Sequence, residues 1–528
     1  MLIKKGISDM KTKKQRRSIP ADICVFLLVT IFPLFITNKY NNITISKFAF
    51  FMTASVTAFF VCLIFCEPNK KDVTKKKIKN KADFINYLKS CDKLSLSFVL
   101  FLICGILAML VSPYPFSAFC GYAGRYMGFD FIIAVFLTYI WVTRYFSLNE
   151  TTIAAFECSG ILVFILAVIQ FLGFDPFNLK EGIPHEKLST FISTIGNVNV
   201  FASFIALVLP VALYIVCFSE KRKFAPIYIT ASVLGFIGVF ISNSDSAYLA
   251  LIFAFWLLTL LSFEKSTSFY RVFAIFAAFF LTAFLFGRIH SLFENAYHLS
   301  TLTVYLTKPY SIIPAVFFAL ICVALRLKPL SEKAMKVLKY AYIVLSALIL
   351  FSVLTAMVYF SAFDKKTDLG ALNAYLRFND SWGTERGLVW RLSLSAFKEM
   401  PFINKLFGYG EDTVVVLLAK YFKQEMLASG YYTNNAHNEL LQYLLTMGIF
   451  GVLSYVSILI FSMKKLLTKR KKSVLFGAIA VAVFAYAGQS LVNITQPITT
   501  PLMFLMISFA GCEINEKISE KSLYINKK

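Results

Sequence analysis

The sequence predicts an all-α, polytopic helical membrane protein. Three observations carry that reading. The chain is 58% hydrophobic and only 16% charged, where soluble domains carry about a quarter charged residues. Apolar runs of near membrane-spanning length recur along its whole length, which is the signature of transmembrane helices. Its basic residues cluster in alternate connections between those runs, as the positive-inside rule requires.

Taken in order, crossings are expected near 21–37, 43–65, 94–111, 127–146, 151–172, 199–218, 225–243, 246–263, 270–287, 310–326, 339–362, 438–462, 473–493 and 497–512. That makes about fourteen transmembrane helices. The first apolar segment lacks a small-residue cleavage site and is read as retained. The layout divides into N-terminal helices at 1–362, a large extracytoplasmic loop at 363–436, C-terminal helices at 437–512 and a tail at 513–528.

The formal net charge is +24, which raises the question of nucleic acid. The distribution argues against it. Lys4 to Arg17, Lys70 to Lys93, "EKRK" at 220–223, Arg326 to Lys339, "KKLLTKRKK" at 464–472 and the tail after Glu513 fall on one side. They orient the chain and meet anionic membrane lipid, with both termini cytoplasmic. High Ile, Phe, Lys and Asn suggest a bacterial, AT-rich genome, hence a plasma-membrane location. The ten cysteines lie mostly in apolar spans or cytoplasmic segments, and none lies in 363–437. Neither a disulfide framework nor a zinc site is expected.

The loop at 363–436 has structure of its own. "TERGLVWRLSLSAFKEMP" reads as a helix ending before Pro401, with Leu388, Leu392 and Ala396 as its apolar stripe. "FGYGEDT" reads as a glycine turn, with Glu411 and Asp412 in the first turn of the next helix.

His437 is the first candidate for chemistry. Thr433, Asn434 and Asn435 read as N-cap residues, which puts His437 in the first turn of the helix entering the membrane. The positive end of the helix dipole disfavours an imidazolium there, and a neutral imidazole suits a general base. The competing reading is an interfacial histidine that bonds only water. Arg377, Arg386 and Arg391 share its loop, and Arg125 and Arg288 lie in other external connections. Arginine forks suit phosphate and diphosphate oxygens. The competing reading pairs Arg386 or Arg391 with Glu385 or Asp380. Asp130 is expected to pair with Arg125, and Glu157 with Arg144.

"TNNAHNELLQYLLTMGIFG" at 433–451 resembles the histidine-asparagine signature of the bacterial O-antigen ligase and polysaccharide polymerase superfamily, with His437, Asn438, Leu440, Leu441, Leu444, Gly448 and Gly451 matching. "RGLVW" through "FGYG" resembles a second block at Arg386, Trp390, Pro401, Gly408 and Gly410. "TIGNVNVFASFIALVLP" resembles a third, at Gly196, Asn197, Asn199, Ala202 and Pro210, and "FCGYAGRYMG" a fourth, at Arg125 and Gly128. One block departs: Asp245 stands where many ligases carry an arginine, and Arg288 or Arg377 is the available substitute.

The resemblance implies a GT-C-like architecture and a glycan donor on undecaprenyl diphosphate. It implies donor binding by Arg125, Arg386, Arg391 and Arg377, and catalysis by His437 as base with Arg386. Asn438, Trp390 and Asn199 would support the site, and neither metal nor cofactor is needed. The acceptor, whether glycan, lipid or protein, stays open. So does ligase against polymerase. Two other classes stay open too: a transporter or flippase for an amphipathic anion such as a lipid-linked saccharide, and an inactive envelope scaffold.

Overall fold

A computed structural model describes residues 19–69, 91–122, 124–220, 223–430 and 433–514. The basic stretches at 4–17 and 70–90 and the tail from 515 lie outside the described residues, so their expected sidedness is not addressed there.

Among the described residues the molecule is a helical bundle with two pairs of two-residue strands. In chain order its first helices are α1 (Ile19–Leu34), α2 (Ile43–Phe65), α3 (Lys93–Val111), α4 (Pro115–Cys120), α5 (Phe129–Tyr145) and α6 (Glu150–Phe171). They are followed by α7 (Val198–Phe218), α8 (Ala225–Ile241), α9 (Asp245–Ser262), α10 (Ser266–His290), α11 (Thr301–Leu306), α12 (Ile312–Leu327) and α13 (Glu332–Val358). The long connection carries α14 (Asn373–Leu376), α15 (Trp382–Glu399), α16 (Phe402–Phe407) and α17 (Val414–Ser429). The last three are α18 (Glu439–Lys469), α19 (Val474–Gln489) and α20 (Thr500–Phe509).

Every expected crossing contains a helix, but they are not equal. Among the described residues, 10 are long and apolar enough to span a membrane. α12 and α19 qualify together with the adjoining helical turns, as Pro309–Leu327 and Val474–Val492 of 19 residues each, whereas the other four, α1, α5, α8 and α20, have 16, 17, 17 and 10 residues. A span needs about 20 residues to cross about 30 Å of hydrocarbon. The multi-pass helical architecture therefore holds, while an exact count of fourteen is not established by helix length.

The core is centred on α7, which is buried along nearly its whole length by α8, α9 and α19. At the other extreme, α13 presents almost all of its apolar surface outward. Polar groups inside the bundle are gathered into small networks, as lipid-buried polar atoms must be. Lys47 of α2 is fully buried and donates to the carbonyls of Phe32 (2.6 Å) and Pro33 (2.8 Å). Those carbonyls close α1, so the lysine acts as its C-terminal cap. Glu157 does not pair with Arg144: both of its carboxyl oxygens are buried with no hydrogen-bond partner among the described residues. It sits in the interior of α6, away from the helix end where a pairing was expected.

α18 is broken. Gly448 has φ 70° and ψ −169°, a conformation close to glycine's alone. The carbonyls of Leu445 and Thr446, which would otherwise continue the helical ladder, accept the amides of Tyr409 (2.8 Å) and Gly410 (3.1 Å). The segment after α16 thus docks into the notch in α18. A Cβ on Gly408 would lie 2.1 Å from the Thr446 oxygen, so the approach requires glycine. Beyond the break, 449–469 measures about 31 Å at about 1.5 Å per residue, enough to cross a bilayer by itself. The short piece before the break begins directly after His437 and Asn438.

Candidate functional site

The expected helix stripe on α15 is present. Leu388, Leu392 and Ala396 pack with Val414, Leu417 and Leu418 of α17 and with Leu441 and Leu445 of α18. This small second core seats the long connection directly on the start of α18.

The position of His437 differs from the sequence expectation. Asn438, rather than Thr433, Asn434 or Asn435, caps α18, its side chain accepting from the Leu441 amide at 3.0 Å. The upstream polar residues instead tie one another into a knot. Asn435 accepts from the His437 amide (2.8 Å), Thr433 donates to the Asn435 carbonyl (2.6 Å), and Gln442 accepts from the Ala436 amide (3.0 Å). His437 therefore lies just before the helix, with φ +48°. A left-handed residue other than glycine or asparagine costs about 1–2 kcal/mol, and such strain concentrates at functional sites. Burial, then the charges of Arg386 and Arg125, holds its imidazole down to about 3. The direction is the one expected from the sequence, but its causes are partial burial and the charges of two arginines rather than the helix dipole.

Arg386 is presented by a second strained turn. Gly383, Thr384 and Glu385 all have positive φ, and Arg386 Nη1 returns to the Gly383 carbonyl at 2.7 Å. Gly387 lets this turn lie against the preceding loop, because a Cβ there would meet the Asn379 oxygen at 1.8 Å. Trp390 packs its ring on Trp382 (5.3 Å between centroids) and Phe378 (6.1 Å). Trp382 donates to the Tyr375 carbonyl, and the Tyr375 hydroxyl reaches Asp245 at 3.4 Å. Asp245, the departure from the ligase pattern, thus helps anchor the long connection.

Arg125 does not pair with Asp130, whose carboxylate accepts its own helix's Phe131 amide. Its partner is Asp412, at 2.6 Å from Nε, with Nη2 on the Thr495 carbonyl at 3.2 Å. Asp412 and Glu411 precede α17 instead of opening it, and both are buried. Burial raises the Glu411 carboxyl to about 8, with Asp412 adding to the rise. Burial also pushes Asp412 upward, opposed by Arg125 and two backbone amides. Sequence reasoning missed Asp412 as a site residue. The signal available was a pair of acids directly after Gly-x-Gly.

The remaining arginines are engaged elsewhere. Arg391 grips Asp380 with both fork edges (2.9 and 2.7 Å) and Glu425 at 3.1 Å, which is the ion-pair reading. Arg377 donates to the carbonyls of Asp364 and Thr367 and closes its own loop. Asn199 accepts from Ser244 (2.7 Å), while its carbonyl accepts from Asn493 (2.8 Å), joining the ends of α7, α9 and α19. Among the described residues no group of His, Cys, Asp and Glu has a metal-binding arrangement. What the fold brings together is one partly buried imidazole just before α18 and the charges of two guanidinium groups that bear on it.

Residues 296–456 match the family model described as O-antigen ligase. The match supports the O-antigen ligase/polymerase superfamily for this multi-pass membrane chain. The matched segment runs from the α10–α11 connection to beyond the break in α18, and contains Arg377, Arg386, Trp390, Arg391, His437 and Asn438. Arg125 and Asn199 lie outside it, and the fold brings Arg125 to it through Asp412. No curated protein matches the chain.

Proposed function

We propose that the protein is a membrane glycosyltransferase of cell-surface polysaccharide synthesis. It transfers or polymerises a glycan from an undecaprenyl-diphosphate-linked donor onto an acceptor hydroxyl at the outer face of the bacterial plasma membrane. Both termini are then cytoplasmic and the long connection 363–436 faces outward. The observation that carries this reading is His437, partly buried just before α18 on a left-handed backbone, with burial and the charges of Arg386 and Arg125 holding its imidazole well below the ordinary value.

In this mechanism the fork of Arg386 and the free edge of Arg125 hold the donor diphosphate. The two negative phosphates offset the arginine charges and raise the imidazole's proton affinity. His437 removes the acceptor's hydroxyl proton as that oxygen attacks the anomeric carbon. The bond from that carbon to the phosphate oxygen breaks, and the diphosphate leaves with the electron pair, stabilised by the guanidinium groups. Attack opposite the leaving group inverts the anomeric centre. The arginines take the part that a metal plays elsewhere, so no metal or cofactor is invoked. Asn438 contributes by capping α18 directly after the base, and Trp390 by fixing the face of α15 that bears Arg386.

A transporter expects its working ionisable groups near mid-membrane. The candidate groups instead gather at the loop end of α18, which favours the enzyme. The test is transfer in proteoliposomes with a defined lipid-linked glycan, with chelator present. Wild-type protein should form product without divalent metal; uptake or flipping of the donor without any glycosidic product would replace this reading with transport.

A further inference from the structure

Asp412 gathers a whole turn around one carboxylate. Oδ1 takes Arg125 Nε at 2.6 Å, while Oδ2 takes the amides of Tyr122 (2.8 Å) and Met127 (3.3 Å). These donors come from both limbs of the 121–128 turn. The turn is tight: a Cβ on Gly128 would lie 2.3 Å from the Gly121 nitrogen. Arg125 is only 4% exposed and Asp412 only 2%. Among the described residues, Nη1 of Arg125 has no hydrogen-bond partner, so the paired guanidinium keeps one donor edge in reserve.

Asp412 itself is held in a strained position, with φ +57°. It follows directly on Tyr409 and Gly410, whose amides sit in the notch of α18, and Thr413 donates to the Gly410 carbonyl at 2.7 Å. The carboxylate is thereby referenced to the same helix that His437 precedes. The charges that bear on His437 are those of Arg386 on α15 and Arg125 on the 121–128 turn, and Asp412 is bonded to Arg125.

We propose that Asp412 is a positioning residue for the reaction: it aims Arg125 at the charge that develops on the leaving diphosphate, rather than adding to the grip on the bound donor, and offsets that arginine's charge, which also bears on His437. This rests on the glycosyltransferase reading of the site. Binding energy alone would favour an unpaired Arg125, since a second carboxylate near a diphosphate site costs affinity. A buried acid bonded to that arginine makes sense when the same charge also bears on a base.

The roles separate in Asp412→Asn. The asparagine carbonyl can still accept from Tyr122 and Met127, but its amide faces Arg125 Nε and releases it. Donor binding should then be retained or tightened, while kcat falls about 10-fold or more. In an Arg125→Ala background the same substitution should change kcat less than about 2-fold, because the arginine through which Asp412 acts is gone. It should also recover thermal stability lost by Arg125→Ala, since removing one partner of a buried pair strands the other charge.

The experiment is this double-mutant cycle in nanodiscs. Glycan-free undecaprenyl diphosphate serves as the binding probe, and the lipid-linked glycan serves for turnover. Non-additive kcat with preserved probe binding supports the proposal. Parallel loss of binding and turnover, or the same loss of kcat in both backgrounds, makes Asp412 a structural residue and overturns it. Should Asp412→Asn fail to fold, Asp412→Glu, which keeps the charge, must restore folding and at least part of kcat; failure there overturns the proposal too. Wild-type protein that neither binds the probe nor transfers glycan overturns the glycosyltransferase reading itself, a result distinct from an active wild type with additive variants.

Discussion

At the residue scale, His437 combines backbone strain, partial burial and the charges of two arginines. Removing a positioned base costs about 100- to 10,000-fold in rate. His437→Ala should therefore abolish detectable transfer in proteoliposomes while the protein still inserts and still binds undecaprenyl diphosphate. Near-normal turnover would return the residue to an interfacial role. His185→Ala and His298→Ala should be mild by comparison. Stability should also depend on pH through this residue. Its folded pKa of about 3 lies below the ordinary value near 6.5, so between them the unfolded chain binds the extra proton. The contribution is full above about pH 6.5 and is lost as pH falls toward 3. Wild type should lose about 2 kcal/mol more than His437→Gln between pH 7 and 5, read as thermal midpoints in detergent. Glu411 has the opposite sign. Its carboxyl is raised to about 8, so its share of stability is present below about pH 4.5 and lost as pH rises through 8. Glu411→Gln should flatten that alkaline decline; an unchanged slope would show that the acid is ionised in place.

At the element scale, the break in α18 is what lets the long connection meet the bundle. Gly448 and Gly408 face each other across the break, and a Cβ on Gly448 would lie 2.4 Å from the carbonyl of Leu406. Gly448→Ala combines a disallowed backbone with a backbone collision, a mechanism worth several kcal/mol. It should sharply lower the yield of monodisperse protein in size-exclusion chromatography. Gly430→Ala is a useful contrast, since a Cβ there meets nothing within 4 Å and the substitution carries only the φ +66° strain. Equal yields for the two variants would remove the docked notch as a structural requirement. The Arg391 pairs belong to this scale as well. They are about half exposed, and exposed pairs are worth about 0–1 kcal/mol. Arg391→Ala should therefore alter donor binding far less than Arg386→Ala, and Arg386→Lys should be damaging because the fork is lost while the charge remains.

At the scale of the whole molecule, the prediction concerns sidedness. In a background without the ten cysteines, Glu425→Cys should react with an impermeant thiol reagent in intact cells. Lys471→Cys should react only after the membrane is opened. The reverse pattern would invert the orientation and move His437 to the cytoplasmic side, where an undecaprenyl-linked transfer to a surface polymer has no place.

The sequence by itself determined the class of molecule and the approximate place of each helix, and it nominated His437, Arg386 and Arg125 as candidates. Those rest on local signals: apolar runs set by bilayer thickness, and rare ionisable residues at their ends. Tertiary structure decided which partners each residue meets. Asp412 meets Arg125 from 287 positions away, and no periodicity reports such a pair. Arg391 and Arg377, equally plausible from residue type, are taken up by nearby carboxylates and carbonyls. The helix start moved to Asn438 because the upstream polar side chains satisfy one another instead of the helix amides. Residue type sets which bonds a side chain can make; only the fold decides which partner reaches it first.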